Sequence, residues 1–185
     1  MEIETGGHDI PGAPVLDEHG SVVNYSVTET GEARLKASLE ITDNTGTNNH
    51  VADAPSLATS ALINIRGRSS REFDKSSYRI TLIHDDGINN NQSVMGMDAH
   101  HEWVLHGPFL DKSLIRNYMM YNIAGECMEY APNVRFCEVV IDGSSFWISY
   151  PVMNGINAVR DNLMNQNAVH KAQMRAFVKA VAINT

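Results

Sequence analysis

Five of the chain's 14 basic residues fall between Arg66 and Arg79, in the run Arg66-Gly67-Arg68-Ser69-Ser70-Arg71-Glu72-Phe73-Asp74-Lys75-Ser76-Ser77-Tyr78-Arg79. Only Glu72 and Asp74 oppose them, so the window carries a net +3. Guanidinium forks, an ammonium group, several hydroxyls and free backbone N–H groups beside a glycine are the donors that polyphosphate recognition uses. The chemistry these residues point to is anion binding. They do not form a Walker loop, because Gly-x-x-x-x-Gly-Lys-Ser/Thr is absent. On composition alone the same run also suits a solvated hairpin tip with a few surface ion pairs.

A second candidate is Asp111-Lys112-Ser113-Leu114-Ile115-Arg116-Asn117. Here Asp111 is well placed to cap a helix whose N-terminus, with Lys112 and Arg116 one turn apart, meets an anion or pairs with a strand carboxylate. The plain alternative is a capped surface helix. His84, His100, His101 and His106 are close in sequence but lack any metal-ligand spacing, so they read as solvent-exposed loop histidines and no metal site is expected. Ser69 and Ser70 lack the Gly-x-Ser-x-Gly setting of a nucleophile. Cys127 and Cys137 make neither a disulfide framework nor a metal motif and are expected to be buried small hydrophobes.

The elements that must position these groups are strands and one main helix. Val22 to Val27 and Leu35 to Ile41 alternate as strands do, in a lead-in rich in Gly, Asp, Asn and Thr. Ile63 and Ile65 alternate with Asn64 and Arg66, while Tyr78, Ile80 and Leu82 alternate with Lys75, Ser77 and Arg79. If those two strands pair through the loop from Gly67 to Asp74, the cations gather on one face or at the loop end and repel one another unless an anion is present. Trp103-Val104-Leu105 reads as a short buried segment. Ile115, Met119, Ile123 and Cys127 recur at helical spacing as an apolar stripe widened by Leu114 and Tyr118. Val134 to Ile141, the turn Asp142-Gly143 and Phe146 to Val152 form the clearest hairpin. The fold class is α+β, an antiparallel β-rich lobe with one main helix. The expected organisation is a β-rich lead-in over 1–60, a core over 61–156 and a helical tail over 157–185.

The chain has 185 residues and a net charge of -8, a length that suits one domain or part of one. No apolar run is long enough for a membrane-spanning helix. An acidic chain with one dense basic island is a poor candidate for nucleic-acid binding, which shows as a broad basic surface. The tail from residue 157 is also net +3, leaving -14 for the remainder. Residues 1–26 show no secretory signal, and Met1 to Val15 reads like a chain entered in mid-course.

Taken in order, these segments resemble the CotH family of spore coat kinase-like proteins. The resemblance runs through Ile65-Arg66-Gly67-Arg68-Ser69-Ser70-Arg71 and Lys75-Ser76-Ser77-Tyr78-Arg79, then Trp103-Val104-Leu105. It continues through Asp111-Lys112 with Arg116-Asn117, Tyr130-Ala131-Pro132, Val139 and Asp142-Gly143, covering about residues 60 to 143. CotH proteins are described as atypical protein kinases that use ATP and a divalent metal, Mg2+, to phosphorylate Ser on partner proteins. The resemblance therefore implies a lobe similar to the N-lobe of a kinase. Its nucleotide phosphates would meet Lys75, Arg66, Arg68, Arg79, Ser69 and Ser70, and Asp111, Arg116 and Asn117 would support a helix similar to the kinase regulatory helix. It also implies a Ser-rich coat or surface protein as partner and a spore coat or extracytoplasmic location.

After Asp142-Gly143 the family's next positions are departed from, with Ile148 where a Gly is usual and Asn154 where a Glu is usual, and residues 157–185 do not resemble the family's continuation. The family's metal-binding and catalytic aspartates have no counterpart here. The expectation is thus an N-lobe fragment or truncated member with weak or no kinase activity, or, with residues after about 144 out of frame, a damaged gene. The alternative is a non-catalytic β-rich surface or coat binding module.

Overall fold

The computed structural model describes residues 1–44, 48–50, 52–128 and 131–154, and for Ser144–Asn154 the backbone alone. The strands expected at Val22 to Val27 and Leu35 to Ile41 form as β3 (Val22–Tyr25) and β4 (Leu35–Ile41). The basic run sits between β5 (Leu57–Arg66) and β6 (Ser77–Ile83), which pair antiparallel with Ile63 opposite Ile80 and Arg66 opposite Ser77. Next comes β9 (Glu102–Leu105), which pairs with β6 and holds the expected buried segment. The hairpin expected around Asp142-Gly143 forms as β10 (Val134–Ile141) and β11 (Ser144–Asn154).

These strands close into a seven-stranded barrel in the order β1, β10, β11, β9, β6, β5, β4, where β1 is Glu2–Glu4. Every neighbouring pair is antiparallel except β1 with β10. Alternation sends one set of side chains inward. Ile3, Leu39, Ile63, Ile80, Leu82, Trp103, Leu105 and Val139 fill the interior. Trp103 is 2% exposed, and its indole N–H donates to the His100 carbonyl at 3.0 Å, so the ring is buried without an orphan donor.

Two small ribbons stand outside the barrel. One joins β2 (Pro14–Leu16) to β3. The other pairs β7 (Gln92–Val94) with β8 (Met97–His100). This second ribbon was not anticipated; its turn residues Met95 and Gly96 both have positive φ, 52° and 69°, which is the backbone of a tight hairpin turn without the usual Asn-Gly spelling.

The helix differs from expectation in two respects. It starts at Arg116, as α1 (Arg116–Cys127), rather than at Asp111. Asp111 still caps it from a distance: one carboxylate oxygen accepts from the Arg116 amide at 2.9 Å and the other from the Ser113 amide at 3.1 Å, which spends residues 111 to 115 on a turn. In addition, the stripe of Ile115, Met119, Ile123 and Cys127 faces solvent. The sheet contact is made instead by Tyr118 and Tyr121, which pack on Val104 and Val134, with Tyr118 stacked on Phe136 at 4.7 Å. The barrel offers the helix a narrow apolar patch, and two large aromatic rings cover it better than the aliphatic row does. Cys127 is therefore exposed, against expectation, while Cys137 is buried. The tail expected to be helical over 157–185 lies outside the described residues.

Candidate anion-binding site

Cross-strand neighbours share a face, and this places the cations. Asn64 is opposite Arg79, and Arg79 opposite Val104. Since Tyr78 and Leu105 are paired and point inward, Ser77 and His106 come level on the outer face, beside Arg66. The Gly107 amide donates to Ser77 Oγ at 3.0 Å and fixes that register one residue past the strand. Arg66, Arg79, Lys75 and His106 thus converge on the outer face of β5, β6 and β9, beneath the loop that leads to α1.

The electrostatics of the cluster are those of crowded, partly desolvated cations. The Arg66 guanidinium has its pKa lowered by burial and by the Arg79 and Arg71 charges, with the Tyr121 hydroxyl acting the other way. Lys75 is 7% exposed, and burial lowers its pKa. Burial also lowers the pKa of His106, with Arg66 and Lys75 adding to the effect and Asp111 opposing it. Among the described residues, the ion pairs are His19 with Glu18 and Arg116 with Asp111, so neither Arg66 nor Arg79 has a carboxylate partner there. Beneath Arg79, Asn64 donates to the Ile65 carbonyl at 2.8 Å while its own buried Oδ1 accepts nothing among the described residues.

The loop between the strands is held rigid by Arg71. Its Nε donates to the Gly67 carbonyl and a terminal nitrogen to the Gly12 carbonyl, both at 2.8 Å, and its guanidinium lies 4.1 Å from the centre of the Tyr25 ring. Gly67 has φ 119°, and a Cβ there would collide with Ser70 Oγ, so only glycine lets the chain turn from β5 into the 3-10 turn Ser69–Glu72. Farther on, Phe73 stacks on Phe109 with ring centres 5.1 Å apart, tying this loop to the one before α1.

The structure therefore brings Arg66, Lys75 and Arg79 together and leaves Arg68 and Ser69 exposed on the loop rim, with Ser70 packed against Gly67. Asn117 reaches the cluster from α1, its Nδ2 donating to His106 Nε2 at 2.6 Å. Arg116 turns to Asp111 at 3.4 Å and to solvent. His106 corrects an expectation: it is half-buried in the cluster and not a solvent-exposed loop residue. Strand alternation extended one residue past Leu105 would have found it, since that puts His106 on the face of Val104.

Residues 63–172 match the family described as CotH kinase protein, over more than half of the chain. The chain belongs to the CotH kinase protein family. None of the curated proteins matches it. The CotH match takes in α1, β6 to β11 and the last four residues of β5, and carries on past residue 143, where the resemblance was expected to fail, to residue 172. Single replaced positions such as Ile148 and Asn154 break a motif, whereas a family match weighs the whole pattern of apolar and polar positions. Among the described residues no group of three or more His, Cys, Asp or Glu side chains is placed to hold a metal ion, and no helix is long and apolar enough to cross a membrane. A cavity of about 780 Å³ opens elsewhere, lined by residues including Met1, Asp43, His50, Phe136 and Glu138, and shares no residue with the basic cluster.

Proposed function

We propose that this CotH-family barrel is a nucleotide-binding lobe, comparable in role to the N-lobe of a kinase, in which Arg66, Lys75 and Arg79 hold the phosphates of ATP. One observation carries the reading: two half-buried guanidinium groups on adjacent strands, with no carboxylate partner among the described residues. Like charges held this way repel in the free protein, and a bound polyphosphate turns the repulsion into attraction. Arg68, Ser69 and Ser70 stand at the rim, where they reach the distal phosphates. Asp111 and Asn117 hold α1 against the cluster in the manner of a regulatory helix.

The described residues fit the phosphates of the nucleotide and offer no carboxylate set for its Mg2+, so no step is assigned to the metal here. The reaction we assign to the complete enzyme is phosphoryl transfer to Ser of a partner protein, a coat or surface protein in keeping with the family. In that reaction this chain's share is to grip and orient the donor phosphates, which is most of what a protein contributes to phosphoryl transfer.

Calorimetric titration with ATP tests the site. Saturable binding is expected, weakened about 10- to 100-fold in Arg66→Gln and in Lys75→Met, since a charge-assisted hydrogen bond contributes about 1.5–3 kcal/mol. No saturable binding by the folded parent would remove the nucleotide reading and leave a binding module without chemistry.

A further inference from the structure

The contact between His106 and Asn117 links the state of the imidazole to the orientation of the amide. The atom of Asn117 that faces the ring is Nδ2, a donor in every state, at 2.6 Å from His106 Nε2. With the amide assigned in that orientation, Nε2 is the acceptor and the ring is neutral with its proton on Nδ1. The groups around it explain why. Burial disfavours the charged ring first, Arg66 on β5 and Lys75 ahead of β6 both repel a proton there as well, and among the described residues Asp111 in the loop before α1 acts in its favour. On α1 itself the neighbours are Asn117 and, facing Arg66, the Tyr121 hydroxyl. Part of what keeps the ring neutral is thus the charge of two cations that a polyphosphate would cancel.

We propose that His106 is a proton-linked member of the phosphate cradle: neutral and held by Asn117 in the free protein, it takes up one proton from solvent when a polyphosphate binds between Arg66 and Lys75, and becomes a fourth cationic contact beside Arg66, Lys75 and Arg79. This rests on the nucleotide reading above. The protonation needs one local rearrangement, because a protonated Nε2 cannot face a donor. The Asn117 side-chain amide turns over, so that its Oδ1 accepts from the new Nε2–H or releases the ring to the ligand. Asn117 is a positioning residue in this scheme. Binding of the polyphosphate becomes tighter as pH falls, by up to about tenfold per pH unit for one linked proton, across the window between the ring's lowered value in the free protein and its raised value in the complex.

The test is ATP titration of the full chain at several pH values, in buffers of different ionisation enthalpy, with His106→Gln run beside the parent. Expected are a net proton uptake by the parent and its reduction in His106→Gln to what the phosphate's own titration accounts for. The imidazole nitrogen resonances of the parent, read by NMR, give the same answer without a variant: a neutral Nδ1–H ring before ATP and a doubly protonated ring after. Saturable ATP binding with a ring that stays neutral, or with identical proton uptake in parent and variant, overturns the proton link and leaves the cradle intact. Absence of saturable ATP binding at every pH overturns the cradle and this inference together.

Discussion

Gly107 sits where the loop to α1 crosses the start of β6, and exchanging it for alanine tests the geometry on which the whole cluster depends. A Cβ at this position would lie 2.4 Å from the Ser76 carbonyl oxygen and 2.6 Å from that of Lys75. An unstrained carbon to oxygen contact is about 3.3–3.6 Å, so the overlap is roughly 1 Å, against backbone that no side-chain rotation can move. Relief requires the loop to lift off residues 75 and 76. The lift also breaks the 3.0 Å bond from the Gly107 amide to the buried Ser77 hydroxyl. Overpacking of this kind costs about 1–3 kcal/mol and the lost hydrogen bond about 1 kcal/mol, so Gly107→Ala should destabilise by about 2–4 kcal/mol. For a chain of this size that lowers Tm by about 5–15 °C.

The same exchange at Gly125 is the control. Gly125 lies in α1, is exposed and has nothing within 4 Å of an added Cβ, so alanine there should stabilise by about 0.5–1 kcal/mol through helix propensity alone. Urea and thermal unfolding followed by circular dichroism read both variants. If Gly107→Ala stays within about 0.5 kcal/mol of the parent, or if the two variants shift in the same direction, the packing of the loop over Lys75 is refuted.

Other consequences are as direct. In the native protein Cys127 should react with a thiol reagent and Cys137 should not until unfolding, because burial pushes the Cys137 thiol up to about 12; one equivalent of label placed on Cys137 would contradict this. The Asp142 carboxyl is held below its ordinary range by the Thr5 hydroxyl first and by the Thr5, Gly7 and Gly6 amides. Its folded pKa is therefore below its unfolded one, and its contribution is present above about pH 4 and lost as pH falls through the folded value. Asp142→Asn should accordingly lower stability at pH 7 and flatten the acid limb of a Tm against pH curve; an unchanged limb would show that the clamp does not form. Finally, Ile123→Ser on the exposed face of α1 should change stability by less than about 0.5 kcal/mol, whereas Tyr118→Ser, which removes the ring stacked on Phe136, should lose several times that in urea unfolding.

Much of the barrel was legible because alternation is a local signal. Ile63, Ile65, Tyr78, Ile80 and Leu82 announce their faces by position alone, and Asp142-Gly143 announces its turn. The pairing of these two runs through the basic loop was expected, although the connection extends to Ser76 and so brings Arg66 opposite Ser77. What the sequence concealed were the choices made by tertiary contact. Periodicity shows that α1 has an apolar stripe but not whether that stripe or the flanking tyrosines meets the sheet. His106 looked like one loop histidine among four because it lies one residue past β9: alternation carried that far gives its face, but the loop that folds back over it is a long-range event with no local spelling. Residues 1–5 carried no sign that they would lie between β4 and β10.

That last placement governs how the protein can be made. Thr5 receives its clamp from Asp142, 137 residues later. At a synthesis rate of roughly 5–20 residues per second, the first strand waits on the order of ten seconds on the ribosome before its partner exists. Until then β1, even when paired with β4, presents an open hydrogen-bonding edge on the side that β10 takes, and the inward residues Ile3 and Leu39 have no enclosed interior to enter. Barrel closure is therefore a late event, slowed by the long separation of the strands it joins. The nascent chain needs shelter from edge-to-edge association until β10 has emerged.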